Sequence, residues 1–538
     1  MTRLTPALRD RAFRWLADDP DPAAKLELQT IVARAMGGDP GAVEELEDRM
    51  SGPLTFGTAG LRGPVRAGPN GMNRAVVIRT TAGLATWLLS QGHAGGTVVV
   101  GRDARHGSEV FYVDAAEVLA GAGFDVRVLP QPLPTPVLAF ATRSLGAVAG
   151  VQITASHNPP ADNGYKLYDD GGAQIIPPAD AAIEAAIAAA PAAVSVQRSS
   201  ACTTLGDEIL QSYVDSVAVL PRGTARELRV VATAMHGVGA GPLALALHQA
   251  GFVDVGIVAE QAVPDPNFPT VPFPNPEEPG ATDLLLAKAV AVDADLAIAL
   301  DPDADRCAIG VKDTNGNWRM LTGDETGSLL GEHMLSTSDA VNPLVANTIV
   351  SSSMLASIAA AHGARYAATL TGFKWLVRAG DGLIYAYEEA LGLCVDPGSV
   401  RDKDGIAAAV LACDLAATLR ASGKTVVDAL EALAVAHGRH LTQQISLRVG
   451  DLGRIRTLMS GLRSTPPTTL GGVAVVAEDL LPEADVLRYV GDGVRVIVRP
   501  SGTEAKIKAY LEVVAPAADG AAVGRLEALA VEVEELLR

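Results

Sequence analysis

Three times along the chain, a short β-branched run gives way to a longer helical run and then to another strand-like run. "GTVVVGRDAR", "SEVFYVDAAEVLAGAG" and "FDVRVLP" form the first set. The second runs through "LRVVATAMHGVG", "GPLALALHQAGF" and "ADLAIALDPDADRCAIGV"; the third through "PLVANTIVSS", "SMLASIAAAHGA", "YAATLTGFKWL" and "LIYAYEEALG". Strands separated by helices need crossover connections, which predict α/β layers with helices packed on a mostly parallel sheet. The last hundred or so residues break this rhythm. There "GVRVIVRPSGTEAKIKAYLEVVA" reads as paired strands and "AVGRLEALAVEVEELLR" as a terminal helix, a smaller α+β unit. At roughly 150 residues per domain, 538 residues accommodate this count. The boundaries fall at 1–205, 206–320, 321–440 and 441–538. Aromatic residues are only 4% of the chain, so Ala, Val and Leu must fill the cores. The segment "VPDPNFPTVPFPNPEEPG", 263–280, is too proline-dense for a helix or a central strand and predicts a long surface excursion.

A formal charge of −19 argues against a nucleic-acid partner, because phosphate backbones select basic surfaces. A local cluster of Arg and Lys can still recruit a small anion. The first residues lack the apolar run of a signal peptide, and no window reaches the ~18 apolar residues of a membrane span. Cys202, Cys307, Cys394 and Cys413 form no CxxC pair and read as reduced core thiols of a cytoplasmic protein. Several apparent motifs fail. "SGKT" has Thr418 where a P-loop needs its first glycine, so Gly423 reads as a helix-ending residue. "HGVGAG" meets Pro242 at the third glycine position of a dinucleotide fold. "DPDADRCAIGVK" has Arg306 and Lys312 where a calcium loop needs Gly and Glu. There is no GxSxG elbow.

Chemistry should sit in the polar breaks at strand ends, and four such loops could meet in one cleft. Asp301, Asp303 and Asp305 repel one another unless a cation sits among them, and hard oxygen donors suit Mg²⁺; a solvated acidic turn is the alternative. Arg306 would then face a phosphate. Ser156 lies beside His157, but neighbouring side chains of an extended segment point apart, so a Ser–His nucleophile is disfavoured. Ser156 reads either as a polar turn residue or as a phosphoryl carrier supplying an anionic ligand to the metal. Glu388 and Glu389 near "TGFKW" suit sugar hydroxyls, or else an exposed helix start. Arg499, Ser501, Gly502, Thr503 and Lys506 gather donors suited to a phosphate, beyond what a simple turn requires.

In order and spacing, "FGTAGLRG", "TASHNP", "DNGYK", "DPDADR", "GFKW", "YEEALG" and "RPSGTE" resemble the α-D-phosphohexomutase superfamily through nearly the whole chain. The resemblance implies four domains around a central cleft, with Ser156 as the phosphorylated residue and Asp301, Asp303 and Asp305 holding one Mg²⁺ per subunit. Arg62, His157, Lys166 and Arg306 match positions lining the phosphoryl-transfer site. Gly372, Phe373, Lys374, Trp375 and Glu388 match the sugar loops, and Glu389 and Lys403 join them as substrate-binding residues. Arg499, Ser501, Gly502 and Thr503, with Lys506, match the distal phosphate loop. The implied reaction interconverts hexose 1-phosphate and hexose 6-phosphate through a sugar 1,6-bisphosphate, which also serves as activator. Two positions depart from the common pattern: Ala390 stands where a serine is frequent, and Ala505 where a proline is. Features shared with the phosphopentomutase branch keep pentose phosphates as an alternative, beside a metal-dependent sugar-phosphate phosphatase or a non-catalytic sensor. The expected partners are small sugar phosphates, with no nucleic acid and no membrane, and the expected state is a monomer or homodimer.

Overall fold

The computed structural model describes residues 4–55, 60–449, 452–500 and 506–538. Among them lie four main sheets. The chain divides into two compact units: 1–310, 318–320 and 392–414 form the first, and 311–317, 321–391 and 415–538 the second.

Three short helices open the first unit: Pro6–Asp18, Pro22–Met36 and Pro40–Arg49. Each starts on a proline behind a capping Thr5, Asp21 or Asp39, whose side-chain oxygen accepts from a backbone N–H of the first turn. They bury Leu8, Leu28, Ile31 and Leu46 in a core of their own. The six-stranded sheet that follows is ordered Leu61–Pro64, Asp162–Tyr168, Ala149–Ile153, Thr97–Arg102, Asp125–Val128, Cys202–Thr204. Val98, Val99 and Val100 are fully buried, the near-continuous apolar run expected of a strand covered on both faces. The last four strands pair in parallel, as the sequence rhythm predicts. Asp162–Tyr168, however, runs antiparallel to both its neighbours. Its register sets Lys166 opposite Gln152 and Gly164 opposite Arg62. A Cβ on Gly164 would lie 2.5 Å from the Thr154 carbonyl oxygen, so these strands close together only with glycine there.

The next sheet is ordered Trp318–Met320, Cys307–Lys312, Leu296–Leu300, Val230–Thr233, Val255–Ile257. Leu296–Leu300 and Cys307–Lys312 are antiparallel, with Cys307 opposite Leu300, so "DPDADR" is the loop of a tight hairpin. The proline-dense segment carries no helix or strand. It is not merely a surface excursion, because it buries Phe268 and Val271. Gly423 has φ +73° just beyond the helix Gly405–Ala421, the helix-ending role read from its sequence.

In the second unit, Arg365–Thr369, Leu344–Thr348 and Leu383–Glu388 are parallel. The C-terminal sheet, Arg439–Arg448, Lys506–Ala515, Val494–Pro500, Leu487–Gly491, Val473–Asp479 and Thr469–Leu470, is antiparallel throughout. Ile455 and Met459 of the helix Leu452–Ser464, and Leu529 and Val533 of Ala522–Leu537, pack into its core. No single helix among the described residues is long and apolar enough to cross a membrane. Cys307, Cys394 and Cys413 are buried free thiols, and Cys202 is half-buried.

Candidate active site

The strand Ala149–Ile153 delivers the chain into a turn where Ser156 adopts φ +53° and is 1% exposed. Its backbone N–H donates to Thr154 Oγ1 at 2.9 Å, and its Oγ donates to Asp301 Oδ2 at 2.9 Å. The same Oγ lies 3.2 Å from His157 Nδ1. The expectation that Ser156 and His157 point apart is therefore overturned. It assumed an extended backbone, whereas a left-handed residue turns neighbouring side chains toward one side. Burial, with the cations Arg306 and Arg62 nearby, drives His157 well below its ordinary range.

The acidic hairpin meets this turn from the neighbouring sheet. Asp301, Asp303 and Asp305 are wholly buried and offer ligand oxygens within 4.8 Å of one another. Ala304, at φ +56°, turns the hairpin back. The Val238 N–H donates to the Pro302 carbonyl at 2.9 Å, and a Cβ on Gly237 would fall 2.3 Å from Pro302 Cα. The glycine of "HGVGAG" thus serves close packing under the acidic loop rather than a dinucleotide. The alternative of a solvated acidic turn is excluded by this burial.

Lys166 Nζ donates to Asp303 Oδ2 at 2.6 Å and Asp305 Oδ2 at 2.7 Å. Lys403 Nζ stands 3.3 Å from Asp305 Oδ2 and 3.3 Å from Asp402 Oδ1. Burial alone would raise all three carboxyl groups. For Asp305 the cations Lys166, Lys403 and Arg306 win and hold it below the usual range. For Asp301 burial wins, reinforced by Asp303 and Asp305, and its value is raised well above that range. Asp303 Oδ1 and Asp305 Oδ1 are buried and accept no hydrogen bond among the described residues, although Arg306 Nε lies 3.9 Å from the latter. Buried, converging, unsatisfied carboxylate oxygens are the donor set a hard divalent cation such as Mg²⁺ requires. Arg62 Nη1 donates to Asn158 Oδ1 at 3.0 Å, at the edge of the serine turn.

Ser156, His157, Arg62, Lys166, Arg306 and the three aspartates therefore come together in the first unit. Lys403 stands with them, beside Asp305, and the segment 392–414 folds into the first unit.

The other sugar-loop residues lie in the second unit. Gly372, at φ +109°, opens the one-turn helix Phe373–Leu376. Phe373 is 3% exposed. Lys374 Nζ lies 5.7 Å from the centre of the Trp375 ring, on the same helical turn. Glu388 closes the strand Leu383–Glu388 and Glu389 follows it, so neither begins a helix. Glu389 Oε2 accepts from Thr348 Oγ1 at 3.1 Å and Ser351 Oγ at 2.9 Å. Arg499 Nη2 donates to Tyr510 Oη at 3.3 Å, and Lys506 begins the strand Lys506–Ala515. Ser501, Gly502 and Thr503 lie outside the described residues.

Sequence reasoning missed Thr135, at the start of the helix Thr135–Ser144. Its Oγ1 donates to Asp303 Oδ2, and its N–H donates to the Asp303 carbonyl at 2.9 Å. It also missed the line Tyr168–Asp402, in which the phenol donates to Asp402 Oδ2 at 2.7 Å beside Lys403. "QPLPTP" signals a helix start, but nothing local points that helix at an aspartate so distant in sequence.

Models of the phosphoglucomutase/phosphomannomutase family match the chain in order: α/β/α domain I over 53–193, domain II over 211–316, domain III over 322–436, and the C-terminal domain over 463–529. A Haemophilus influenzae protein named "Probable phosphomannomutase" is 43% identical over 454 residues, spanning 82% of this chain and 93% of its own. A Schizosaccharomyces pombe protein named "Probable phosphoribomutase" is 34% identical, over 94% of each chain. The solved structure of a Thermus thermophilus protein described as a "putative phosphomannomutase" matches with a TM-score of 0.73 and 25% identity, over 91% of this chain and 100% of its own. With family matches through all four segments, on a serine and an aspartate triad converging as phosphoryl transfer requires, the chain belongs to the phosphoglucomutase/phosphomannomutase family.

Proposed function

We propose that this protein is a cytoplasmic phosphohexose mutase interconverting hexose 1-phosphate and hexose 6-phosphate, with Ser156 as the phosphoryl carrier. The observation that carries this reading is the buried hydrogen bond of Ser156 Oγ to Asp301, beside the Lys166 ammonium on Asp303 and Asp305. The groups around this serine offset phosphate charge.

Phospho-Ser156 donates its phosphoryl group to the free hydroxyl of the sugar monophosphate: the Ser156 Oγ–P bond breaks as the sugar O–P bond forms, and the sugar hydroxyl's proton passes to Ser156 Oγ, giving a 1,6-bisphosphate and free Ser156. That intermediate reorients, and its other phosphate returns to Ser156. On the return, the Ser156 hydroxyl turns from Asp301 to His157 Nδ1, 3.2 Å away, which takes its proton. Lys166, Arg62 and Arg306 stabilise negative charge on the transferring oxygens. Asp301, Asp303 and Asp305 would hold Mg²⁺, which supplies further positive charge against those oxygens when bound. Glu388, Lys374 and Trp375 read the sugar, and Arg499, Ser501, Gly502, Thr503 and Lys506 hold the phosphate that is not reacting. A bisphosphate activator maintains the phosphorylated enzyme.

Intact mass of the purified protein should show a fraction carrying one phosphate. Ser156→Ala should remove it together with at least about 10³-fold of turnover; a fully active variant overturns the reading. A panel of glucose, mannose, glucosamine and ribose 1-phosphates, each with its bisphosphate, tests the sugar, and glucose 1-phosphate should lead. The phosphoribomutase-named relative favours pentose phosphate as the second reading. A preference for ribose of about tenfold, roughly 1.4 kcal/mol of transition-state discrimination, would establish that reading instead.

A further inference from the structure

Arg105 plays no part in the chemistry above, yet it is buried at 4% exposure directly beneath the serine turn. Its guanidinium spends its hydrogen bonds on backbone carbonyls of that turn. Nη1 donates to the Pro159 oxygen at 2.9 Å and the Asp162 oxygen at 3.2 Å; Nη2 donates to the Ser156 oxygen at 2.6 Å and the Asn158 oxygen at 2.7 Å. Asp103 anchors it from behind. One carboxylate oxygen accepts the Arg105 N–H at 3.0 Å and the Ser108 hydroxyl at 2.6 Å, and the other lies 3.5 Å from Arg105 Nε. The ring of Phe268, from the proline-dense segment, covers the guanidinium at 4.9 Å. The neighbouring Asn267 and His106 meet at 2.9 Å, tying that segment to the same loop.

We propose that Arg105, held in place by Phe268, is a positioning residue that keeps Ser156 in its left-handed conformation for phosphoryl transfer. This rests on the reading of Ser156 as the phosphoryl carrier. A non-glycine residue at positive φ is strained and persists only where the surroundings over-determine it. Four carbonyls gathered by one planar fork supply that determination. Without it the turn relaxes toward extended backbone, Ser156 Oγ swings away from Asp301, and buried carbonyls are left without donors. A lysine ammonium is a single compact charge that cannot span the four acceptors, so arginine is specifically required. The proline-dense segment thereby acquires a role: Phe268 limits the orientations open to the guanidinium.

The test compares Arg105→Lys, Phe268→Leu and the double variant in the full-length protein. It measures kcat and KM for glucose 1-phosphate at saturating bisphosphate, thermal midpoints, and Ser156 phosphate by intact mass. Arg105→Lys should lower kcat by about 10²-fold, as a misplacement near 1 Å does, with KM changed by less than about threefold. Phe268→Leu should lower kcat by about tenfold at unchanged KM and add little in the Arg105→Lys background, because both act through one group. Folded Arg105→Lys protein with full kcat overturns the proposal, as does a rise in KM at constant kcat. Fully additive kcat losses from the two substitutions overturn the link to Phe268. If Arg105→Lys does not fold, Phe268→Leu decides: lowered kcat at constant KM and unchanged midpoint supports positioning, and unchanged kcat overturns it. Phosphate still found on Ser156 while the variants turn over normally defeats only the role of Arg105. An active Ser156→Ala enzyme defeats the carrier reading itself.

Discussion

Lys166 shows how much of the site rests on single side chains. It is buried between two carboxylates whose other oxygens accept nothing among the described residues, so it is the nearest neutralising charge for both. Lys166→Met keeps the length of the side chain and removes the charge. Turnover should fall by at least about 10²-fold, the cost of one preorganised charge at a transferring group, as steady-state kinetics at saturating Mg²⁺ would show. Thr135 acts more gently. Thr135→Val preserves shape but withdraws a donor from Asp303, and apparent Mg²⁺ affinity, read from metal titrations of activity, should weaken by about 10–100-fold. Unchanged affinity would place Thr135 in packing alone. At this scale the residue types stand out in the sequence, because three aspartates at alternate positions and a serine beside histidine are chemically conspicuous, and the structure brings them together. It misjudged the Ser156–His157 geometry because the backbone conformation of one residue is settled by contacts with segments distant in the chain.

Among the elements, the helix Arg74–Ser90 depends on Asn73 at both ends of one side chain. Its Oδ1 accepts from the Val76 N–H at 3.0 Å, while Nδ2 donates to the Gly68 carbonyl at 2.7 Å and the Arg66 carbonyl at 2.9 Å. Asn73→Ala loses the cap and strands those carbonyls, so it should cost about 2–3 kcal/mol in urea unfolding with kcat retained. A loss within about 0.5 kcal/mol would mean water replaces the side chain. Element types were readable because periodicity and punctuation are local. The Pro-after-cap signature of the first three helices was equally local and would have located them. The antiparallel strand Asp162–Tyr168 was not readable: "DNGYKLY" looks like a break until Gly164 is seen wedged against a neighbouring strand.

Over the whole molecule, buried charge is settled by long-range neighbours, and the second unit offers a clear case. Burial would raise Glu512, but His440, Arg495 and Ser352 hold it at about 2, against an ordinary 4.5. A carboxyl lowered on folding stabilises above its unfolded value and loses that contribution as pH falls through the folded one. Glu512 should therefore contribute on the order of 3 kcal/mol at neutral pH, fading between about pH 4.5 and 2. Glu512→Gln should be destabilised relative to wild type at pH 7, with the gap closing toward pH 2 in denaturant unfolding. A gap independent of pH would assign its role to hydrogen bonding alone.

By itself the sequence determined the layered α/β class, the smaller C-terminal α+β unit with its paired strands, and the chemical repertoire of serine, aspartates and cations, because these depend on patterns spanning a few residues. Only tertiary structure decided that Lys403 sits beside Asp305, that Thr135 and Lys166 hold Asp303, and that Arg105 clamps the serine turn. Those pairings follow from strand register and from packing between distant segments, and no local preference of the chain encodes either.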